Sequence, residues 1–135
     1  MEQATATRSR TAFDLLGGAP VVRRVVDRFY DLMDADADYA ELRSLHAQDL
    51  APMRDSLTGF LTAWLGGPRD WFDERPGRCM MSAHKGVAIT EASARQWADA
   101  MSRAVLDSVE EGDLVEKLAQ ALSGMALSMA SLPGR

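Results

Sequence analysis

The stretch VVRRVVDRFYDLM, residues 21–33, decides the fold class. Its apolar residues recur at steps of three and four positions, which is the spacing of one face of an α-helix. The valines would also suit a strand, but the stretch lacks the alternation of period two that a half-buried strand needs. A length of about fifteen residues likewise favours a helix. Pro20 suits the first turn of this helix, and Gly17-Gly18 ends the short apolar turn before it.

Similar helical patterns fill most of the remaining chain. Asp49 is the predicted cap of a helix whose apolar face runs over residues 50–64. Thr90 is the predicted cap of a long helix, and leucines and methionines spaced along residues 114–129 predict a last one. No convincing strand is present. The predicted fold class is therefore all-α, with four substantial helices and some short ones.

The segments between these helices complete the predicted organisation. Residues 39–46 are typical of a short helix or turn, and residues 69–78 of a loop. Residues 1–10 are polar and predict a flexible tail. A chain of 135 residues has room for one domain, so we expect residues 11–135 to form it.

Composition and charge make several partners improbable. The net charge is −5 and no run of basic residues occurs, so nucleic acid and anionic membranes are poor partners. No apolar window approaches the roughly 18 residues that span a bilayer. The first ten residues also lack the apolar stretch of a signal peptide. We therefore expect a cytoplasmic protein that binds neither nucleic acid nor membrane.

The chain has few nitrogen or sulfur ligands for a metal ion. His46 and His84 are the only histidines and Cys79 is the only cysteine, so a tetrahedral zinc site is implausible. Haem remains open, because it brings four equatorial ligands and needs one axial imidazole from the protein. A packed or surface role for a lone histidine is the alternative. Sizeable apolar residues could line a haem slot, although by periodicity alone an ordinary core explains them better: Phe29, Met53, Leu57, Phe60, Leu61, Met101, Met125 and Met129.

Three polar aromatic residues lie beside these apolar faces: Tyr30, His46 and Trp97. Each has a hydrogen-bonding group that normally needs a partner when buried. The ordinary interpretation of Tyr30 is a core tyrosine whose hydroxyl finds a partner at the rim of the core. The ordinary interpretation of Trp97 is a residue that only packs. The residues alone therefore indicate an all-helical domain with a candidate ligand pocket.

From about Phe13 to Ser131 the sequence resembles the group II truncated, two-over-two haemoglobins, whose fold is a helical sandwich around haem. The motifs that carry the resemblance are FDLLGG (13–18), VDRFYDLM (26–33), LRSLH (42–46), FLTAWLGGP (60–68) and a histidine, His84, 13 positions before Trp97. A glycine pair alone would mean little, but the ordered set is specific.

The resemblance implies roles for particular residues. His84 matches the proximal iron ligand, and Tyr30 matches the tyrosine that hydrogen-bonds iron-bound ligands. Trp97 matches the group II tryptophan whose indole N–H points into the distal pocket. His46 lies at the corner position over the haem, which suggests the histidine-bearing subset of the group. Met53 stands near the place of a distal histidine in other globins.

Further matches and departures concern the haem contacts. The matched apolar contacts are Phe29, Leu57, Phe60 and Leu61, with Trp71 at the haem edge and Met125 in the lining. The family often places Arg just before the proximal histidine, where this chain has Ala83. Gly86-Val87 replaces the usual Pro-Phe pair, and Ser56 replaces a common basic residue. Lys85 and Arg75 are the candidates that would instead pair with the haem propionates.

The resemblance also implies a function. It predicts haem b and a distal site for O₂, NO, CO and peroxide. Donors directed at bound O₂ slow its release, which suits redox chemistry better than transport. NO dioxygenation or peroxidase-like turnover, with an unidentified electron donor, is therefore the expected activity of a monomer or homodimer. An O₂ storage or sensing module without turnover and a cofactor-free helical interaction protein remain as alternatives.

Overall fold

Every regular element is a helix in the residues that the computed structural model describes, which are 11–74, 89–109 and 113–129. In chain order these are α1 (Ala12–Leu16), α2 (Ala19–Ala35), a 3-10 helix (Ala37–Tyr39), α3 (Ala40–Ser44), α4 (Ala51–Trp64), α5 (Asp70–Asp73), α6 (Glu91–Ser108) and α7 (Asp113–Met129). The all-α prediction is confirmed. The predicted N-terminal tail lies outside the described residues.

Helix α1 is closed at both ends by its sequence. Thr11 and Asp14 form a reciprocal capping box at its start. Gly17 follows its last residue with φ 117°, in the left-handed region that favours glycine. A Cβ at this position would also lie 2.7 Å from Val21 Cγ2, so the turn into α2 requires glycine.

Helix α2 carries the central apolar face of the fold. Pro20 lies in its first turn, as predicted, where a missing N–H costs nothing. The five apolar residues of the predicted face are all buried, and Tyr30 and Leu32 are buried with them: Val22, Val25, Val26, Phe29 and Met33. This helix therefore contributes to the core along its whole length.

The long helices form two pairs. Helix α2 packs on α4, helix α6 packs on α7, and the contact of α2 with α6 joins the pairs. The buried apolar residues of α6 are small or flexible where α2 crosses it, with Ala100, Ala104 and Met101 fully buried. Small side chains allow helix axes to approach closely. None of the described helices is long and apolar enough to cross a membrane.

Two local predictions need correction. A short helix, α5, occupies part of the predicted loop 69–78, because four residues carry no periodicity that sequence reasoning could detect. Helix α4 has Leu50 rather than Asp49 as its N-cap residue. The Asp49 carboxylate still accepts a hydrogen bond from the Ala51 N–H at 3.0 Å, so the predicted capping side chain acts one position earlier. Thr90 caps α6 through a capping box with Ser93, as predicted.

A polar cluster fastens the 3-10 helix to α6. The buried Tyr39 hydroxyl donates to the Asp99 carboxylate and accepts from Arg103 at 2.9 Å. Arg103 also donates to Asp36 at 3.0 Å. One turn later the Leu42 N–H donates to Gln96 Oε1 at 2.9 Å. These bonds fix the corner of the chain that leads to His46.

Candidate functional site

The three predicted polar aromatics form one series of ring contacts with the buried Phe29. Phe29 lies with its ring centroid 4.9 Å from that of Tyr30 and 5.3 Å from that of Trp97. The centroids of Tyr30 and His46 are 6.0 Å apart, with the rings nearly perpendicular. Helix α2, helix α6 and the residues just after α3 each supply part of this cluster. We call Phe29, Tyr30, His46 and Trp97 the distal cluster.

Tyr30 combines a buried ring with an unused hydroxyl. The residue is 2% exposed, yet its O–H has no hydrogen-bond partner among the described residues. No fully buried side-chain nitrogen or oxygen in that part of the chain lacks a partner, so the Tyr30 oxygen itself is accessible. Burial raises the pKa of Tyr30, and the nearby Arg54 guanidinium only partly offsets this. The phenol therefore stays protonated and able to donate.

Trp97 offers a second donor from the facing helix. Its side chain is half-buried against the core, and its ring packs on Phe29. Within the described residues its indole N–H makes no hydrogen bond. An indole nitrogen is a donor only, so Trp97 is suited to a ligand that accepts.

One backbone contact determines the tautomer of His46. Its Nδ1 lies 2.9 Å from the Leu42 carbonyl oxygen, which only accepts, so Nδ1 carries the proton. In the neutral ring the other nitrogen, Nε2, is then basic. The ring is half-buried and lies at the edge of the distal cluster. The sequence predicted its place but not this tautomer.

The predicted apolar contacts divide by burial. Phe29 and Leu61 are buried in the core, while Leu57, Phe60 and Met125 pack against it with part of their surface exposed. Met53 is 37% exposed.

Trp71 acts as an anchor between α4 and α5. It is 7% exposed, its indole N–H donates to Ser56 Oγ at 3.1 Å, and its ring packs edge-on against Phe60 and Phe72. The hydroxyl of Ser56, the position where the sequence departs from the family pattern, thus orients this tryptophan.

Arg54 is a neighbour of the cluster that sequence reasoning missed. Its guanidinium carbon lies 5.7 Å from the centroid of the Tyr30 ring. It donates to Asp27 Oδ1 at 3.0 Å and to Asp31 Oδ1 at 2.8 Å, both on α2. No spacing in the sequence signals this contact, because it joins residues 23 to 27 positions apart.

Three predicted site residues lie outside the described residues: the axial ligand His84 and the propionate partners Arg75 and Lys85. Their roles remain predictions. Among the residues that are described, no group of three or more His, Cys, Asp or Glu side chains is placed to hold a metal ion.

Comparison with known proteins gives a consistent result. The family model for bacterial-like globins matches residues 11–131. No curated protein matches the chain significantly. Among solved structures, the chain is similar to the group II 2-on-2 hemoglobin of the plant pathogen Agrobacterium tumefaciens, with 27% identity and a TM-score of 0.86 over 92% of this chain and 96% of that one.

Two further structures show the same similarity. The cold-adapted truncated hemoglobin of the Antarctic marine bacterium Pseudoalteromonas haloplanktis TAC125 is 27% identical, with a TM-score of 0.86 over 91% of this chain and 99% of that one. The group II truncated hemoglobin of Bacillus anthracis is 26% identical, with a TM-score of 0.81 over 91% of this chain and 92% of that one. These matches confirm the predicted two-over-two fold.

Proposed function

The chain belongs to the bacterial-like globin family, and from that premise we propose that Tyr30 and Trp97 stabilise a small ligand on the distal side of a haem held by His84. Members of this family bind haem and, through it, diatomic ligands such as O₂. The proposal adds the residues, the haem type (haem b), the group II subset with histidine at the corner, and the use of the bound ligand.

The distal cluster fits this cofactor. Haem requires an apolar slot between helices, and the partly covered faces of Leu57, Phe60 and Met125 supply apolar surface for one. A ligand on the haem iron is stabilised by donors that are not already engaged, and the accessible hydroxyl of the buried Tyr30 is one. This unpartnered hydroxyl is the single observation that carries the proposal.

When bound, haem supplies an iron that accepts O₂, NO, CO or peroxide and exchanges electrons with them. The residues of the chain then determine how long a ligand stays. The Tyr30 O–H and the Trp97 N–H donate to a ligand that accumulates negative charge. Each charge-assisted hydrogen bond contributes about 1.5–3 kcal/mol, which corresponds to roughly a tenfold to hundredfold slower release.

Slow release of O₂ favours chemistry on the ligand over transport. We propose redox detoxification, either dioxygenation of NO to nitrate or peroxidase-like turnover, with electrons from a donor protein or small reductant. The peroxidase-like route would use His46, whose ring contacts that of Tyr30, to polarise peroxide. An O₂ storage or sensing module without turnover is the second candidate.

Stopped-flow measurement of O₂ dissociation tests the distal assignment. We expect Tyr30→Phe and Trp97→Phe each to speed dissociation by about tenfold or more, since each removes one donor. Tyr39→Phe is the matched control: it removes the hydroxyl of the other tyrosine, which is bonded to Asp99 and Arg103, and should change the rate far less than Tyr30→Phe. Unchanged rates in both Tyr30→Phe and Trp97→Phe would refute the proposal.

Two further measurements test the cofactor and the turnover. The ferric, ferrous and CO-bound absorption spectra should show a strong Soret band that His84→Gly perturbs. A colourless protein that takes up no added haem would contradict the axial assignment. Steady consumption of NO or peroxide in the presence of a reductant separates the detoxifying function from storage.

A further inference from the structure

Helices α2 and α4 are joined by a ladder of alternating charges. Arg23 bonds Asp27 at 3.3 Å on its own helix and Asp55 at 2.8 Å on α4. Arg54 bonds Asp27 and Asp31 in the opposite direction across the same interface. We call these five residues the α2–α4 ladder.

Arg54 is the more buried of the two arginines of this ladder. Its two terminal nitrogens reach two carboxylates one helical turn apart, and Nη1 also donates to the Asp27 carbonyl oxygen at 3.2 Å. Its side chain is 22% exposed, against 42% for Arg23. An isolated surface ion pair stabilises a protein little, but a forked guanidinium on several acceptors fixes relative orientation as well.

The ladder lies where apolar packing of α4 is weak. None of residues 51–60 is fully buried, and the first buried residue of the helix is Leu61. Met53 and Leu57, the predicted distal contacts, both lie in this loosely packed part. Polar bonds to α2 therefore contribute much of what holds the first turns of α4 in place.

In the sequence, Tyr30 lies between Asp27 and Asp31, the two carboxylates to which Arg54 donates. It follows Asp27 by three positions and precedes Asp31 by one, and its ring faces the guanidinium at 5.7 Å. A cation within about 6 Å of an aromatic ring is attracted to it. The Arg54 side chain on α4 thus contacts both the Tyr30 ring, which carries the unused hydroxyl, and two carboxylates on the same helix as Tyr30, α2.

We infer that Arg54 is a positioning residue of the distal site: its fork on Asp27 and Asp31 holds the first turns of α4 against α2 and fixes the ring of Tyr30, and with it the direction of the O–H. The inference rests on the proposed function of Tyr30 as a ligand donor. It assigns the ladder a part in ligand affinity beyond that of surface ion pairs.

Arg54→Gln and Arg28→Gln in the haem-loaded protein form a matched pair. Arg28, on α2, makes an equally short bond of 2.9 Å to Asp107 on α6, and among the described residues it is Arg54 and not Arg28 whose guanidinium lies over the Tyr30 ring. We expect Arg54→Gln to speed O₂ dissociation about threefold to tenfold, because a misdirected donor weakens a hydrogen bond without deleting it. The C–O stretching frequency of the CO complex should rise in Arg54→Gln, and neither value should change in Arg28→Gln.

A readout independent of ligand kinetics is hydrogen–deuterium exchange. Amides of the first two turns of α4 should exchange faster in Arg54→Gln than in Arg28→Gln, because local opening there is no longer restrained. Equal exchange, dissociation rates and C–O frequencies in the two variants would overturn the inference.

Two more variants separate the effect of charge from that of the forked geometry and test whether Arg54 acts through Tyr30. Arg54→Lys keeps the charge but not the fork, so we expect it to behave like Arg54→Gln; wild-type behaviour would show that charge alone matters and contradict the positioning role. Arg54→Gln combined with Tyr30→Phe should release O₂ no faster than Tyr30→Phe alone. If Tyr30→Phe itself changes nothing, the proposed function fails as well; if only Arg54→Gln changes nothing, the inference alone fails.

Discussion

The His46 imidazole shows how one backbone contact sets the chemistry of a side chain. Its Nδ1 proton is committed to the Leu42 carbonyl, so the neutral ring presents a basic Nε2 and not a donor. The sequence predicted up to three donors over the ligand. The tautomer leaves two, Tyr30 and Trp97, while His46 is neutral.

We therefore expect His46→Phe to change O₂ dissociation much less than Tyr30→Phe does. The Nδ1 proton of His46 is engaged by the Leu42 carbonyl oxygen and is not directed at the ligand. Stopped-flow dissociation of the two variants, side by side with the wild type, provides the comparison. A His46→Phe effect as large as that of Tyr30→Phe would mean that the ring donates from Nε2.

The residues of the site differed in how well the sequence predicted them. Tyr30, His46 and Trp97 were found through their likeness to family motifs, and the structure brings them together. Arg54 escaped because its partners lie on another helix, and nothing local distinguishes it from an ordinary surface arginine. Long-range side-chain pairing depends on how helices pack, which periodicity does not reveal.

Among the elements, α4 depends on one close approach to α5. Gly59 lets α4 approach Trp71 closely: a Cβ there would lie 2.9 Å from Trp71 Cδ1 and 3.1 Å from its Cβ. The tryptophan cannot move away easily, because Ser56 and two phenylalanine rings hold it.

Gly59→Ala should therefore lower the free energy of unfolding by about 1–3 kcal/mol, since overpacking outweighs the better helix propensity of alanine. Gly124→Ala in α7 is the control, because nothing lies within 4 Å of its added Cβ. That variant should gain about 0.5–1 kcal/mol. Urea unfolding of both variants measures the difference. A Gly59→Ala variant more stable than the wild type would show that Trp71 can shift away from the added Cβ without loss of stability.

The 3-10 helix has an acidic cap whose effect depends on pH. The Asp38 backbone N–H and the Arg103 guanidinium lower the pKa of Asp36. A carboxylate with a depressed pKa stabilises the fold above its unfolded-state pKa, and this contribution is lost as the pH falls through the folded-state value.

We expect the wild type to be more stable than Asp36→Asn at pH 7, and the difference to narrow as the pH falls below about 4, the unfolded-state pKa of Asp, toward the lower folded-state pKa of Asp36. Arg103→Gln removes one of the two causes of the lowered pKa of Asp36. The difference in stability between Arg103→Gln and the double variant Arg103→Gln/Asp36→Asn should therefore be smaller than that between the wild type and Asp36→Asn. Urea unfolding from pH 7 to pH 3 tests this. A gap that stays constant down to pH 3 would contradict the linkage.

Helix existence was easier to predict than helix ends. The apolar face of α2 has enough turns for its period to be clear, and all five predicted residues are buried. Helix α5 is a single turn and was missed, and α4 starts one residue later than Asp49 would suggest. At such ends, tertiary contacts decide between conformations that differ little in local free energy.

For the whole molecule, the proposed haem is part of the fold as well as of the site. Its apolar slot would be lined by side chains that the helices cover only partly, such as Phe60 and Met125. Burial of that surface against a cofactor stabilises the folded chain but not the unfolded one.

Removal of haem should accordingly lower the melting temperature. At a free haem concentration a hundred times the Kd, mass action raises the free energy of unfolding by about 2.7 kcal/mol. His84→Gly should lose most of this gain if His84 is the axial ligand. Thermal unfolding of the apo and loaded forms of both proteins is the test, and an equal gain in His84→Gly would assign the ligand elsewhere.

The packing of α6 on α7 also bears on the order in which the molecule folds. These two helices follow each other in the chain, so their contacts close short loops and form rapidly. The distal cluster instead joins residues near position 30 to position 97, and closing so long a loop costs more chain entropy. We expect the α6–α7 hairpin to form first and to act as the template on which α2, and finally the ligand site, assembles.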